Sequence, residues 1–155
     1  MKLLLDFPTI GEPHYAEAIP ASLIMKSSQK IYKIEENKNP YAALGDKNAL
    51  VVDMRDSNDR VKGTIPGSIG IPYTEIAMRM DELGCKKQPD GSKQKWDCSK
   101  AKNVYGFCNG PVCPQSPSAM NAMVRDGFPA SKIYYYRGGM LDWDALGLTT
   151  VKGEF

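Results

Sequence analysis

Cys108 heads the residues whose type and setting suit covalent chemistry. It follows the apolar run Val104-Tyr-Gly-Phe107 and precedes the loop Asn109-Gly-Pro-Val-Cys-Pro-Gln115, after which Ser116 and Pro117 open a helical pattern. Gly110 and Pro111 let the chain turn sharply. Backbone N–H groups of the loop and first helical turn then converge on one point, an anion-binding nest. A thiol held there feels the positive end of the helix dipole, which predicts a lowered pKa and a favoured thiolate. The thiolate is the nucleophile, and the same N–H groups stabilise negative charge on whatever it attacks. Asn109, Gly110, Pro111, Val112, Cys113, Pro114, Gln115 and Ser116 form the expected loop around that sulfur. Such a site serves sulfur transfer, phosphate-ester cleavage or thiol redox chemistry.

The bland alternative is a buried, inert Cys108, since free cysteine is among the most buried residue types. Its place between a strand and a glycine loop favours the functional reading. Cys113 is either a packing residue or a resolving thiol that pairs with Cys108. Cys85 and Cys98 are expected to form a structural disulfide, with two free surface thiols as the alternative. The single histidine, His14, lies far along the chain in an arm, and the cysteines lack the tight pairs of zinc sites, so no metal is expected. Phosphatase or arsenate reductase chemistry through a Cys-x5-Arg loop needs arginine at position 114, where Pro114 stands.

These residues need elements to hold them. Residues 1–22, with three prolines in the first twenty, read as an extended arm. A helix is expected from Ser27-Ser28, with Ile31 and Ile34 on one face, ending at Asn39-Pro40. Ala49 to Met54 is a short apolar run, as in a strand buried on both faces. Residues 63–72 read as loop, and Thr74 as the cap of a helix with Ile76, Ala77, Met80 and Leu83 on one stripe. Residues 84–102, with six lysines and Pro89-Asp-Gly91, read as a polar surface insertion stapled by Cys85 and Cys98. Strands follow at Asn103–Cys108 and Lys132–Tyr136. Ser116 is the expected N-cap of a helix ending at Gly127, and Met140 to Leu146 form a last short helix anchored by Trp143. Strands alternating with helices imply a parallel sheet covered on both faces, whose ligand sites lie at the carboxyl ends of the strands.

The bulk numbers agree with one α/β domain. The chain has 155 residues, 42% hydrophobic and 25% charged, with a net charge of +2. That balance calls for neither nucleic acid nor an anionic membrane. No apolar run nears the roughly 20 residues of a membrane span. Asp6 and Pro8 interrupt the apolar start before it makes a signal sequence.

Val52-Asp53-Met54-Arg55, Gly63-Thr-Ile-Pro-Gly-Ser68, Cys108 with its loop, and Arg137-Gly-Gly-Met-Leu-Asp-Trp143 occur in the order of the rhodanese signatures. Residues 23–151 thus resemble a rhodanese domain, with 152–155 as a tail. The resemblance implies a five-stranded parallel sheet flanked by helices on both faces. It further implies sulfane-sulfur transfer from a donor such as thiosulfate, through a persulfide on Cys108 without other cofactor, to cyanide or a thiol. A non-turnover sulfur carrier loaded by a partner protein, and a dithiol redox protein using Cys108 and Cys113, are the competing readings. Asp53 and Arg55 match a pair that braces the active loop, while Arg137 either faces the site or makes a surface ion pair. Gln115 stands where the family usually has arginine, Thr64 where histidine is common, and the loop is about two residues longer. That loop resembles a subgroup of bacterial secreted or periplasmic proteins, so a periplasmic or secreted location is expected, with a cytoplasmic one as alternative.

Overall fold

The computed structural model describes residues 40–154. The expected arm, the helix over 27–39 and His14 lie outside the described residues. In chain order, the elements are α1 (Pro40–Ala43), β1 (Ala49–Asp53), α2 (Ser57–Lys62) and β2 (Ile69–Gly70). After a 3-10 turn at Met80–Leu83 come β3 (Lys86–Lys87), β4 (Trp96–Asp97), β5 (Asn103–Phe107) and α3 (Gln115–Arg125). A second 3-10 turn at Ala130–Lys132 leads to β6 (Ile133–Tyr136) and α4 (Gly139–Ala145).

Strands β2, β1, β5 and β6 lie side by side in that order, all parallel. Among the described residues the sheet therefore has four strands, not the five expected. Residues alternate between its faces, as the pleat requires. Val52, Val104, Ile133 and Tyr135 pack on one face against Ala119, Met120 and Met123 of α3. Val51, Tyr105, Tyr134 and Tyr136 pack on the other against Ala43, Met140 and Trp143 from α1 and α4. Helices thus cover both faces, which is why each central strand is a near-continuous apolar run.

Four local expectations need correction. Residues 63–72 contain β2, and Thr64 bridges to Val151. Residues 74–83 form turns and a 3-10 helix rather than one α-helix, although Ile76, Met80 and Leu83 are buried as their spacing predicts. The Cys85–Cys98 disulfide is present, yet residues 84–102 are not merely a surface insertion. Cys85, Trp96, Cys98 and Ala101 all join the core beneath α3, and Trp96 Nε1 donates to the Ala77 carbonyl at 3.0 Å. The lysines decorate a hairpin whose inner side is apolar. Residues 152–154 likewise dock rather than trail: Gly153 N–H donates to the Arg60 carbonyl, and Arg60 Nε to that of Glu154.

Candidate active site

The sheet register builds the site. Asp53, Phe107 and Tyr136 lie abreast at the carboxyl ends of β1, β5 and β6. The residues just beyond them, Met54-Arg55, Cys108-Asn109 and Arg137-Gly138, therefore share one edge of the sheet. Cys108 follows Gly106 on the face that carries α3.

The loop is a closed turn. Cys113 N–H donates to the Gly110 carbonyl at 3.0 Å, and the Cys108 thiol donates to the Cys113 carbonyl at 3.5 Å. Its tip, Val112, is 97% exposed, whereas Cys108 is 1% exposed. Helix α3 begins at Gln115 with Pro114 in the cap position. Ser116 is therefore not the N-cap. It sits in the first turn, fully buried, with its Oγ unpartnered by the usual hydrogen-bond geometry. Both its hydroxyl and its backbone N–H act on the Cys108 sulfur and favour the thiolate.

Other forces oppose that one. Burial, and after it the neighbouring Cys113 thiol, push the Cys108 thiol above its ordinary range despite Ser116. The expected depression of its pKa is thus overturned. A desolvated sulfur beside a second thiol outweighs one amide and one hydroxyl. Cys108 and Cys113 are both free thiols, and the Cys113 thiol, half-buried, donates to Gln115 Oε1 at 3.5 Å.

Two braces hold the loop from outside. Arg55, itself buried, donates to both oxygens of buried Asp53 at 2.9 and 2.8 Å, to the Gly63 carbonyl at 2.7 Å and to Asn109 Oδ1 at 3.1 Å. Asn109 in turn donates to Asp59 Oδ2 at 3.0 Å. The second brace is α4. Its Met140 and Leu141 N–H groups donate to the Cys108 and Asn109 carbonyls at 3.0 and 2.9 Å. Gly139 has φ +56°, and a Cβ there would collide with the Cys108 carbonyl. The Gly-Gly-Met signature is therefore a docking surface for the Cys108 peptide.

Arg137 is half-buried, with Nε unpartnered among the described residues. Its charge reaches the Tyr135 hydroxyl, which also lies against Cys108. Tyr135, read from the sequence as core, is thus a site residue. Burial, followed by the Cys108 and Cys113 sulfurs, pushes its phenol up, so it stays protonated and available as a donor. Strand alternation on β6 places it on the Cys108 face, and that signal was open to sequence reading. Arg60 was missed as well. It is buried against Asp53, Thr64 and Ser68, and nothing in the polar run Ser57–Lys62 marks it. A cleft of about 340 Å³ between Arg55, Asn109 and Leu141 flanks the loop without reaching Cys108.

Residues 36–146 match the family described as Rhodanese-like domain. The chain belongs to this family. The domain is 28% identical over 103 residues to the HTH-type transcriptional regulator Rv0324 of Mycobacterium tuberculosis, covering 66% of this chain but 38% of that protein. It is also 28% identical over 114 residues to the mouse Thiosulfate sulfurtransferase/rhodanese-like domain-containing protein 3, covering 72% of this chain and 68% of that one. Among solved structures, the BH2092 protein from Bacillus halodurans superposes with a TM-score of 0.51 at 24% identity, over 69% of this chain and 66% of that one. The last likeness shows the fold alone. Among the described residues, no helix of this rhodanese domain is long and apolar enough to cross a membrane.

Proposed function

We propose that this rhodanese domain, with its lengthened two-cysteine loop, is a sulfurtransferase that carries sulfane sulfur on Cys108. The observation supporting it is the pair of Ser116 groups, N–H and buried hydroxyl, at the sulfur that ends β5. The Cys108 thiolate attacks the outer sulfur of thiosulfate or a persulfide. Sulfite or a thiolate leaves, and the new terminal sulfur carries negative charge. Ser116 and the Tyr135 hydroxyl supply donors for that charge, in a site shielded from water. The sulfur then passes to a thiol or cyanide, with no cofactor beyond the covalent persulfide. Gln115 in place of arginine leaves the loop itself, residues 109–116, without a fixed cation, which weakens selection for thiosulfate over less charged donors. The Cys85–Cys98 disulfide supports work in an oxidising compartment such as the periplasm.

The 1% exposure of Cys108 favours a second reading, a carrier loaded by a protein that opens the loop. Thiosulfate and cyanide, with thiocyanate and intact mass as readouts, separate the two. A transferase forms thiocyanate repeatedly and stops in Cys108→Ser. A carrier gains one sulfur atom on Cys108 with little turnover. If thiosulfate and a low-molecular-weight persulfide both leave Cys108 unmodified, the transferase reading fails, and the carrier reading fails with it if a protein persulfide donor also leaves Cys108 unmodified.

A further inference from the structure

We infer that Cys113 is a second reacting residue, which discharges the sulfur held on Cys108 as hydrosulfide and closes a Cys108–Cys113 disulfide. This rests on the sulfur-transfer reading and names its acceptor class, an external dithiol.

The loop geometry carries the argument. Both thiols are reduced, and the turn closed by Cys113 N–H on the Gly110 carbonyl folds the Cys113 backbone onto the Cys108 sulfur, 3.5 Å from its carbonyl oxygen. The Cys113 thiol also lies against that of Cys108. It is held by a neutral, uncharged acceptor, Gln115 Oε1. Cys113 stands five positions after Cys108, in the turn that its N–H closes on the Gly110 carbonyl. Cys113 is half-buried, so it is sheltered from bulk thiols yet adjacent to the atom it must attack.

The chemistry balances. Cys108–S–S⁻ and Cys113–SH give the Cys108–Cys113 disulfide and HS⁻. The bond between Cys108 Sγ and the outer sulfur breaks, a bond between the two Sγ atoms forms, and the Cys113 proton leaves with the sulfide. The sulfane sulfur is reduced, and the two cysteines are oxidised. An external dithiol, such as dithiothreitol or a protein dithiol, then reduces the pair and is itself oxidised to a disulfide.

The test uses the full chain with Cys108 and Cys113 reduced, thiosulfate as donor, and neither cyanide nor reductant. Released sulfide is measured, and sulfur on each cysteine is mapped by peptide mass. Wild type is expected to release one equivalent of sulfide and to acquire the Cys108–Cys113 disulfide. Cys113→Ser is expected to keep the persulfide on Cys108, with sulfide release lowered at least about tenfold by loss of the positioned intramolecular thiol. Cys113→Ala serves equally if the serine variant does not fold, and the wild-type map decides without either. A wild-type persulfide that persists on Cys108, or one that moves intact to Cys113, overturns the inference and leaves the sulfur-transfer reading standing. Failure of every form to take sulfur onto Cys108 overturns both.

Discussion

Replacing Arg55 by methionine tests the brace that joins the early strand to the active loop. Methionine fills the volume of the side-chain stem but cannot supply its four side-chain hydrogen bonds, two of them to the Asp53 carboxylate. Asp53 is fully buried, and removing one partner of a buried pair typically costs about 3–5 kcal/mol. Asp53 keeps the Thr64 hydroxyl at 2.7 Å and Arg60 Nη1 at 3.5 Å, which places the loss near the lower end of that range. With a urea slope of about 1.5 kcal/mol per molar, a loss of about 3 kcal/mol moves the unfolding midpoint down by about 2 M. Arg55→Lys should recover little of this, because a point charge replaces a planar fork that spans two oxygens. Urea titrations followed by circular dichroism check both variants. A midpoint shift below about 0.3 M for Arg55→Met, or full recovery by lysine, would refute the argument that this buried fork holds the site.

Gly139→Ala is expected to destabilise the domain by more than Gly147→Ala. Both glycines have positive φ, at +56° and +67°, and share a backbone penalty of about 1 kcal/mol, but a Cβ at Gly139 also meets the Cys108 carbonyl whereas one at Gly147 meets nothing within 4 Å. Equal thermal midpoints for the two variants would sink the α4 docking account. Replacing Cys85 and Cys98 together by serine should cost about 3 kcal/mol by loop-closure entropy, since the bridge spans 13 residues. Denaturant midpoints check this, and no change would show that the buried Trp96 anchors the hairpin alone.

What the sequence displayed was set by local chemistry. Ala49–Asp53 and Ile133–Tyr136 are short, apolar and rich in β-branched or aromatic residues, and both became strands within a residue of the expected bounds. The placement of Cys108 at the end of β5 followed from the same signal. What remained hidden depended on tertiary contact. The Cys85–Cys98 disulfide was expected, but six lysines over 84–102 masked the burial of both cysteines and of Trp96 in the core. Ile69-Gly70, between turn residues, has no propensity that marks a strand and becomes one by pairing with Val52 and Asp53. Ser116 carries a cap signature, yet the helix starts at Gln115, because Ser116 is drawn inward beneath Cys108. The raised Cys108 pKa was least accessible of all. A helix dipole is legible in a sequence, whereas the burial that outweighs it arises when the loop closes over the sulfur.

That closure sets one peptide group against Ser116. The Cys113 carbonyl accepts from the Cys108 thiol and so favours the protonated form, while Ser116 favours the thiolate. The peptide linking Cys113 to Pro114 has no N–H, so its rotation withdraws an acceptor from the sulfur without offering a donor. The preceding residue is also held away from helical backbone angles, which restricts that rotation. In this resting state Cys108 should resist alkylation by iodoacetamide at neutral pH. Its rate should still climb about tenfold per pH unit beyond pH 8.5, where an ordinary thiol levels off. The same proton links to stability. The native state holds it more tightly than the unfolded chain, so this contribution is complete below the ordinary thiol pKa and is lost as pH rises toward the native value. Pro114→Ala restores an N–H that can turn toward the sulfur. The alkylation profile of Pro114→Ala made together with Cys113→Ser should then lie at lower pH than that of Cys113→Ser alone, a pair in which only one loop thiol reacts and the loss of the Cys113 thiol is common to both. Coincident profiles for that pair, or a native plateau already reached below pH 8, would show that the closed loop does not govern the ionisation of Cys108.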